Sequence, residues 1–137
     1  MPPIDRILET AIYCDDLDKA ETFYTGLFGF PVMLSNERIR ALDVNAASVL
    51  LLFQRGATTH SIRLPEGLIP SHDSTGPAHF AFGIAADQYH AWKAMLLQRG
   101  IAIESEVQWS AGGRSLYFRD PDGHSVELAT PGLWRTW

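Results

Sequence analysis

The stretch Gly112-Gly-Arg-Ser-Leu-Tyr-Phe-Arg-Asp-Pro-Asp-Gly-His-Ser-Val-Glu-Leu-Ala-Thr-Pro131 reads as a β-hairpin. Residues 114–119 are rich in aromatic and apolar side chains, and residues 125–130 alternate polar with apolar. Between them, Asp120-Pro121-Asp122-Gly123 signals a turn, because proline fixes one dihedral and glycine supplies a positive one. Neighbours on a strand point to opposite faces. If Val126 and Leu128 meet an apolar layer, Glu127 points the other way with Ser125 and Ala129. A carboxylate on an inward face among small residues requires a partner or a chemical role.

Working outward, the same order of elements occurs twice. Residues 6–14 read as a strand with Ile7, Glu9, Ala11 and Tyr13 on one face and Leu8, Thr10, Ile12 and Cys14 on the other. Asp15 and Asp16 offer a helix N-cap, Leu17, Ala20, Phe23 or Tyr24 and Leu27 recur at helical spacing, and Gly29 stands where a C-terminal glycine belongs. Residues 30–35, 38–44 and 48–53 read as three strands, the last two forming a hairpin across Asn45-Ala-Ala47. After a long segment the pattern resumes: a strand over 78–84, a helix capped by Asp87 with a stripe of Tyr89, Trp92, Met95 and Leu96, a stop at Gly100, a strand over 101–107, then the hairpin above. Glu9 and His79 hold the same place in the two first strands, about 70 residues apart, as do the helix-ending Gly29 and Gly100. A duplicated unit at this period predicts two modules, residues 6–54 and 78–130, each strand, helix and three strands. The fold class is α+β. Residues 55–77, with three prolines and two histidines, read as a linker and lid without regular structure, and residues 131–137 as an aromatic tail.

The bulk properties set limits. A chain of 137 residues makes one domain with a core of useful size. A net charge of -5 argues against a nucleic-acid surface, which wants clustered Lys and Arg. Cys14 is alone, so no internal disulfide forms. Met1-Pro-Pro-Ile-Asp-Arg6 has no apolar run of signal-peptide length, and no stretch nears the ~18 apolar residues of a membrane span. The expectation is a soluble cytoplasmic protein that engages neither nucleic acid nor membrane.

Three residues carry charge or a ligand atom on inward faces: Glu9, His79 and Glu127. Their same-face neighbours are small (Ala11, Ala81, Gly83, Ser125, Ala129), which leaves room for a cavity. Burying carboxylates together is costly, and a divalent cation removes that cost. Carboxylates with an imidazole suit Zn, Mn, Fe, Co or Ni. The bland reading gives Glu9 and Glu127 partners among Arg and Ser and makes His79 a hydrogen-bonded core histidine.

Glu9 to Tyr24, Gly29-Phe30, Gly76-Pro-Ala-His-Phe-Ala-Phe82 and Phe118-Arg-Asp-Pro-Asp-Gly-His-Ser-Val-Glu127 resemble the vicinal-oxygen-chelate superfamily. That group includes glyoxalase I, fosfomycin-modifying enzymes, methylmalonyl-CoA epimerase, extradiol dioxygenases and bleomycin-resistance proteins. The resemblance implies two βαβββ modules forming a cupped mixed sheet around a divalent metal, in a homodimer. It implies Glu9, His79 and Glu127 as metal ligands, with Glu127 or Glu9 doubling as catalytic base. The further glutamate of glyoxalase I, on the last strand of the first module, is replaced by Leu50 or Leu51.

The implied activity is isomerase or lyase chemistry on a small oxygen-rich molecule, through an enolate or oxyanion held on the metal. A glutamate in place of a histidine ranks a dioxygenase lower. The alternative is a metal-free protein that sequesters a drug-like ligand, as bleomycin-resistance proteins do. Tyr117, Arg114, Trp109 and His72 are candidate substrate-binding residues. Tyr117 and Arg114 alternate, so only one of them shares a face with Glu127. His60, His90 and His124 are expected to face solvent.

Overall fold

The computed structural model describes residues 1–137 and divides into two compact units, Met1–Gly76 and Pro77–Trp137. Each unit carries one four-stranded mixed sheet and one α-helix.

The first unit runs β1 (Glu9–Cys14), α1 (Leu17–Phe28), β2 (Val32–Ser35), β3 (Ile39–Val44), β4 (Ser48–Gln54) and a small hairpin of β5 (Ile62–Leu64) and β6 (Gly67–Ile69). Its sheet order is β1-β4-β3-β2, with β1 parallel to β4 and the other pairs antiparallel. The start of α1 is set by Asp16, whose Oδ1 accepts from the Lys19 amide at 3.0 Å. Its end is set by Gly29 at φ 71°, a left-handed cap in which the Gly29 N–H donates to Thr25 O. Leu17, Ala20, Tyr24 and Leu27 form the buried stripe of the helix. The sheet supplies Ile12, Leu42, Leu50 and Leu52, each at most 1% exposed. Burying a side chain of this size stabilises by about 1.5–3 kcal/mol. Arg40, on the same face, clips helix to sheet through Glu21 at 2.6 Å and Asp18 at 2.8 Å.

The second unit repeats the order: β7 (His79–Gly83), a 3-10 turn (Ala86–Gln88), α2 (Tyr89–Gln98), β8 (Ser105–Gln108), β9 (Arg114–Arg119) and β10 (Ser125–Ala129). The sheet order is β7-β10-β9-β8, again with the first strand parallel to the last. Leu116, Phe118, Val126 and Leu128 are fully buried on one face, as are Tyr89 and Leu96 of α2. Tyr89 donates its hydroxyl to Glu106 of β8 at 2.8 Å, and Lys93 reaches the same carboxylate at 2.6 Å. The duplicated strand-helix-three-strand order expected from the sequence is therefore present.

Three expectations are corrected. The 55–77 segment is not devoid of regular structure: β5 and β6 pair across Pro65-Glu66, with Leu64 opposite Gly67. Asp87 does not cap α2, because it lies inside the 3-10 turn and no side chain caps the helix. The strand foreseen over 101–107 pairs only from Ser105 to Gln108, its ladder to β9 beginning where Ser105 faces Tyr117. No helix is long and apolar enough to cross a membrane.

Candidate functional site

The hairpin that presents Glu127 is built by its turn. Gly123 adopts φ 80°, and its N–H donates to Asp120 O at 3.0 Å. The buried Asp120 carboxylate accepts from the amides of Asp122 (3.0 Å) and His124 (2.8 Å) through one oxygen. This is an Asx-type lock on the chain just before β10. His124 is also buried, at 1% exposure, and its Nδ1 accepts from the Ala78 N–H at 2.8 Å. The solvent-facing expectation for His124 is wrong. Strand alternation held the signal, since His124 has the parity of Val126 and Leu128, which face the core.

Beyond the turn, pairing fixes who shares the face of Glu127. In β10, Glu127 stands opposite Ala81 of β7 and Tyr117 of β9; Ser125 stands opposite His79 and Arg119; Ala129 stands opposite Gly83 and Ser115. Glu127 is only 4% exposed. Its Oε2 lies 3.4 Å from His79 Nε2, while its Oε1 is buried and has no hydrogen-bond partner. The imidazole of His79 is placed by its other nitrogen, 3.1 Å from the Ser125 carbonyl. A carbonyl only accepts, so Nδ1 carries the hydrogen and Nε2 turns toward the carboxylate. The neutral tautomer thus aims a lone pair at carboxylate lone pairs, an arrangement completed by a proton or by a cation.

The residues fit a metal ion. Two donors each about 2.1 Å from one tetrahedral ion lie about 3.4 Å apart. A histidine ligand that donates its second N–H to a backbone carbonyl is the usual means of orienting the ring. The unpaired Glu127 Oε1 provides a further acceptor with no competing partner.

Tyr117 stacks near His79, with ring centroids 6.1 Å apart and planes 28° from parallel. Burial pushes its hydroxyl pKa above the usual 10.0, and the neighbouring Glu127 carboxylate pushes it further. The phenol therefore stays protonated as a donor on this face. Trp109 donates its indole N–H to Ser115 Oγ at 2.8 Å, placing it beside the same face. Arg114 does not join them. It has the opposite parity, and its guanidinium lies 3.7 Å from the centre of the Tyr89 ring with Nη1 3.2 Å from His90. The structure thus resolves the alternation in favour of Tyr117.

In the first unit, Glu9 opens β1 opposite Val49, as His79 opens β7 opposite Ser125. Glu9 is exposed. His72 lies on the first sheet: its Nδ1 is 2.6 Å from the Tyr13 hydroxyl, and its ring packs edge-on against Phe53 with centroids 4.6 Å apart. The segment carrying it is tied down where the His72 N–H donates to Thr58 O and Arg55 donates to Ser74 O. Tyr13 is itself held above its usual pKa, by burial first and then by the charge of Asp73. The phenol therefore keeps its proton. His60 and His90 are exposed, as expected.

Comparison with known proteins agrees with this architecture. The Glyoxalase/Bleomycin resistance protein/Dioxygenase superfamily matches residues 6–128. A solved structure described as lactoylglutathione lyase from Agrobacterium tumefaciens superposes with a TM-score of 0.89 at 33% identity, covering 98% of this chain and 99% of that one. The metallothiol transferase FosB of Shouchella clausii is 29% identical over 120 residues, 86% of this chain and 75% of its own length. Catechol-2,3-dioxygenase of Bacillus subtilis is 29% identical over 123 residues, 88% of this chain but 40% of that protein. The two-fold βαβββ order, the match over nearly all of the sequence and the close superposition together place the chain in the Glyoxalase/Bleomycin resistance protein/Dioxygenase superfamily.

Proposed function

We propose that the protein is a metal-dependent enzyme acting on a small oxygen-rich molecule by isomerase or lyase chemistry. The observation that carries this reading is the His79 Nε2–Glu127 Oε2 approach of 3.4 Å beside a buried, unpartnered Glu127 Oε1. His79 and Glu127 are assigned as ligands, and Glu9 as the third on the strength of its matching place in the repeat. When bound, a divalent ion (Zn, Ni, Mn, Co or Fe) supplies Lewis-acid polarisation of two neighbouring substrate oxygens.

The chain's own residues do the remaining work. Ser125 O fixes the imidazole of His79. Tyr117, kept protonated, donates a hydrogen bond to a substrate oxygen as negative charge grows there. Glu127 or Glu9 accepts the proton from the carbon next to that oxygen. The relatives, by name a lyase, a metallothiol transferase and a dioxygenase, span several reactions. Two carboxylates with one histidine form a hard donor set, which favours proton transfer over oxygen activation.

A cytoplasmic homodimer is part of the proposal. The edge strand β2 exposes Val32, Met33 and Leu34 at 41–54%, an apolar run that a second copy can cover. A second reading, a metal-free binding protein, draws on the first sheet, where Ala41, Leu51 and Phe53 form a buried apolar cluster with Tyr13, Ile39 and Val49 packed against it. That reading gives Glu127 no task.

The deciding experiment is deuterium exchange followed by proton NMR. Metal-loaded protein is incubated in deuterated water with a panel of 2-hydroxy ketones and 2-oxo acids. The enzyme reading expects loss of the carbon-bound hydrogen beside the carbonyl with wild type and none with Glu127→Gln. Binding of such compounds without exchange supports the sequestering protein.

A further inference from the structure

One row of the Glu127 face is occupied by small side chains only. It lies two residues along the strands from Glu127, about 6.7 Å at the usual strand rise. The row is Gly83, Ala129 and Ser115, read across β7, β10 and β9. Ala129 is 5% exposed and Ser115 is not exposed at all. Two indoles lie along it. Trp109 is fixed to Ser115 by its N–H. Trp137 rests over Gly83: a Cβ built there would lie 3.4 Å from its Cη2 and 3.5 Å from its Cζ2. Side chains at 79, 81 and 83 alternate to one side of β7, so this is the side to which His79 points.

The segment that delivers Trp137 is seated by its own backbone. A Cβ on Gly113 would come within 2.6 Å of Gly132 C and 2.7 Å of Leu133 N, distances no side chain tolerates. Gly132 holds φ 100° to make the approach. Thr130 Oγ1 accepts from the Arg114 N–H at 2.8 Å just before it. The tail is thus held against the sheet at its base, while Trp137 remains 65% exposed.

We infer that Trp137, seated on Gly83 with Trp109 at the other end of the row, is a specificity-determining residue that takes a planar aromatic arm of the ligand. The inference rests on the proposed metal centre, because the ligand's oxygen pair is held at His79 and Glu127 while its arm reaches the exposed side of the Trp137 indole. An open indole face gains from an offset-stacked ring and gives little to a methyl group.

The test compares two probes with the same oxygen-chelating head, benzohydroxamate and acetohydroxamate, by calorimetry on zinc-loaded protein. Wild type is expected to bind benzohydroxamate roughly five- to tenfold more tightly. Trp137→Ala is expected to bring the two within about twofold, and Trp137→Phe to retain most of the preference. Equal binding of both probes by wild type, or an unchanged preference in Trp137→Ala, overturns the inference and leaves the metal centre standing. Zinc uptake without binding of either probe also overturns it. Absence of zinc uptake defeats the metal centre, and the inference with it. Circular dichroism melts confirm that each variant is folded.

Discussion

Leu51 holds in the first sheet the place that Glu127 holds in the second. Each is on the last strand of its four-stranded sheet in chain order, opposite an alanine of the parallel first strand, Ala11 for Leu51 and Ala81 for Glu127. Each has a β-hairpin neighbour on the other side, Ala41 for Leu51 and Tyr117 for Glu127. One position is thus sealed by apolar packing in the first unit and carries an unpartnered carboxylate oxygen in the second. By this register Leu51, and not Leu50, is the counterpart of Glu127 within the chain.

A buried carboxylate with an orphan oxygen destabilises the metal-free fold. Glu127→Gln is expected to raise the melting temperature of metal-free protein by a few degrees, on the order of 1 kcal/mol. Added zinc should raise the melting temperature of wild type and leave the variant unmoved. Differential scanning calorimetry with and without zinc reads both effects, and a lower melting temperature for metal-free Glu127→Gln contradicts the account.

The converse substitution goes the other way. Leu51→Glu places a carboxylate among Ala41, Phe53 and Tyr13 with no partner supplied. The expected loss is about 3 kcal/mol or more, visible as a lower urea midpoint. Stability equal to wild type would show that this face is already wet or polar.

Tyr117 links the site to alkaline pH. Its folded pKa lies above the unfolded value, so folding favours the protonated phenol. That contribution is complete below about pH 10 and is lost as pH rises through the folded pKa. Tyr13 and Tyr89, raised chiefly by burial, act in the same direction. Urea midpoints should therefore fall as pH rises above about 10, and less steeply in Tyr117→Phe. Tyrosinate absorbance should show Tyr117 titrating earlier in Glu127→Gln, because the neighbouring charge is gone.

The tail's seat predicts a sharp contrast between two glycines. Gly113→Ala drives a Cβ into the backbone of Gly132 and Leu133, which cannot yield as a side-chain tip does. It should free residues 131–137 to carboxypeptidase and lower stability by roughly 1–3 kcal/mol. Gly83→Ala meets Trp137 at ordinary contact distance and should leave digestion and melting unchanged.

Much of this was legible in the sequence because local chemistry and global fold agree there. Asp16 and Gly29 announce the ends of α1, and the turn of Asp120 to Gly123 announces the final hairpin. Parity alone puts Glu127, Tyr117 and His79 apart from the core residues beside them. The misses have physical causes. The β5–β6 hairpin has only three residues a side and a Pro-Glu turn, too short for alternation to register. Asp87 has the composition of a cap, but the chain enters α2 through a 3-10 turn that places it one step inside. His124 looked polar and exposed because it follows a turn, yet its Nδ1 is used by the Ala78 amide. Trp137 over Gly83 depends on a close approach of Gly113 to Gly132, and such long-range glycine contacts leave no periodic trace.

The proposed chemistry depends on a divalent ion held by His79 and Glu127. The most direct measurement is the metal-to-protein ratio by inductively coupled plasma mass spectrometry, after incubation with zinc, nickel, manganese, cobalt or ferrous iron and removal of free ion. Wild type is predicted to retain close to one equivalent of at least one of these, and folded His79→Ala and Glu127→Gln to retain little. Wild type that retains none of the five, or variants that retain as much as wild type, would contradict it.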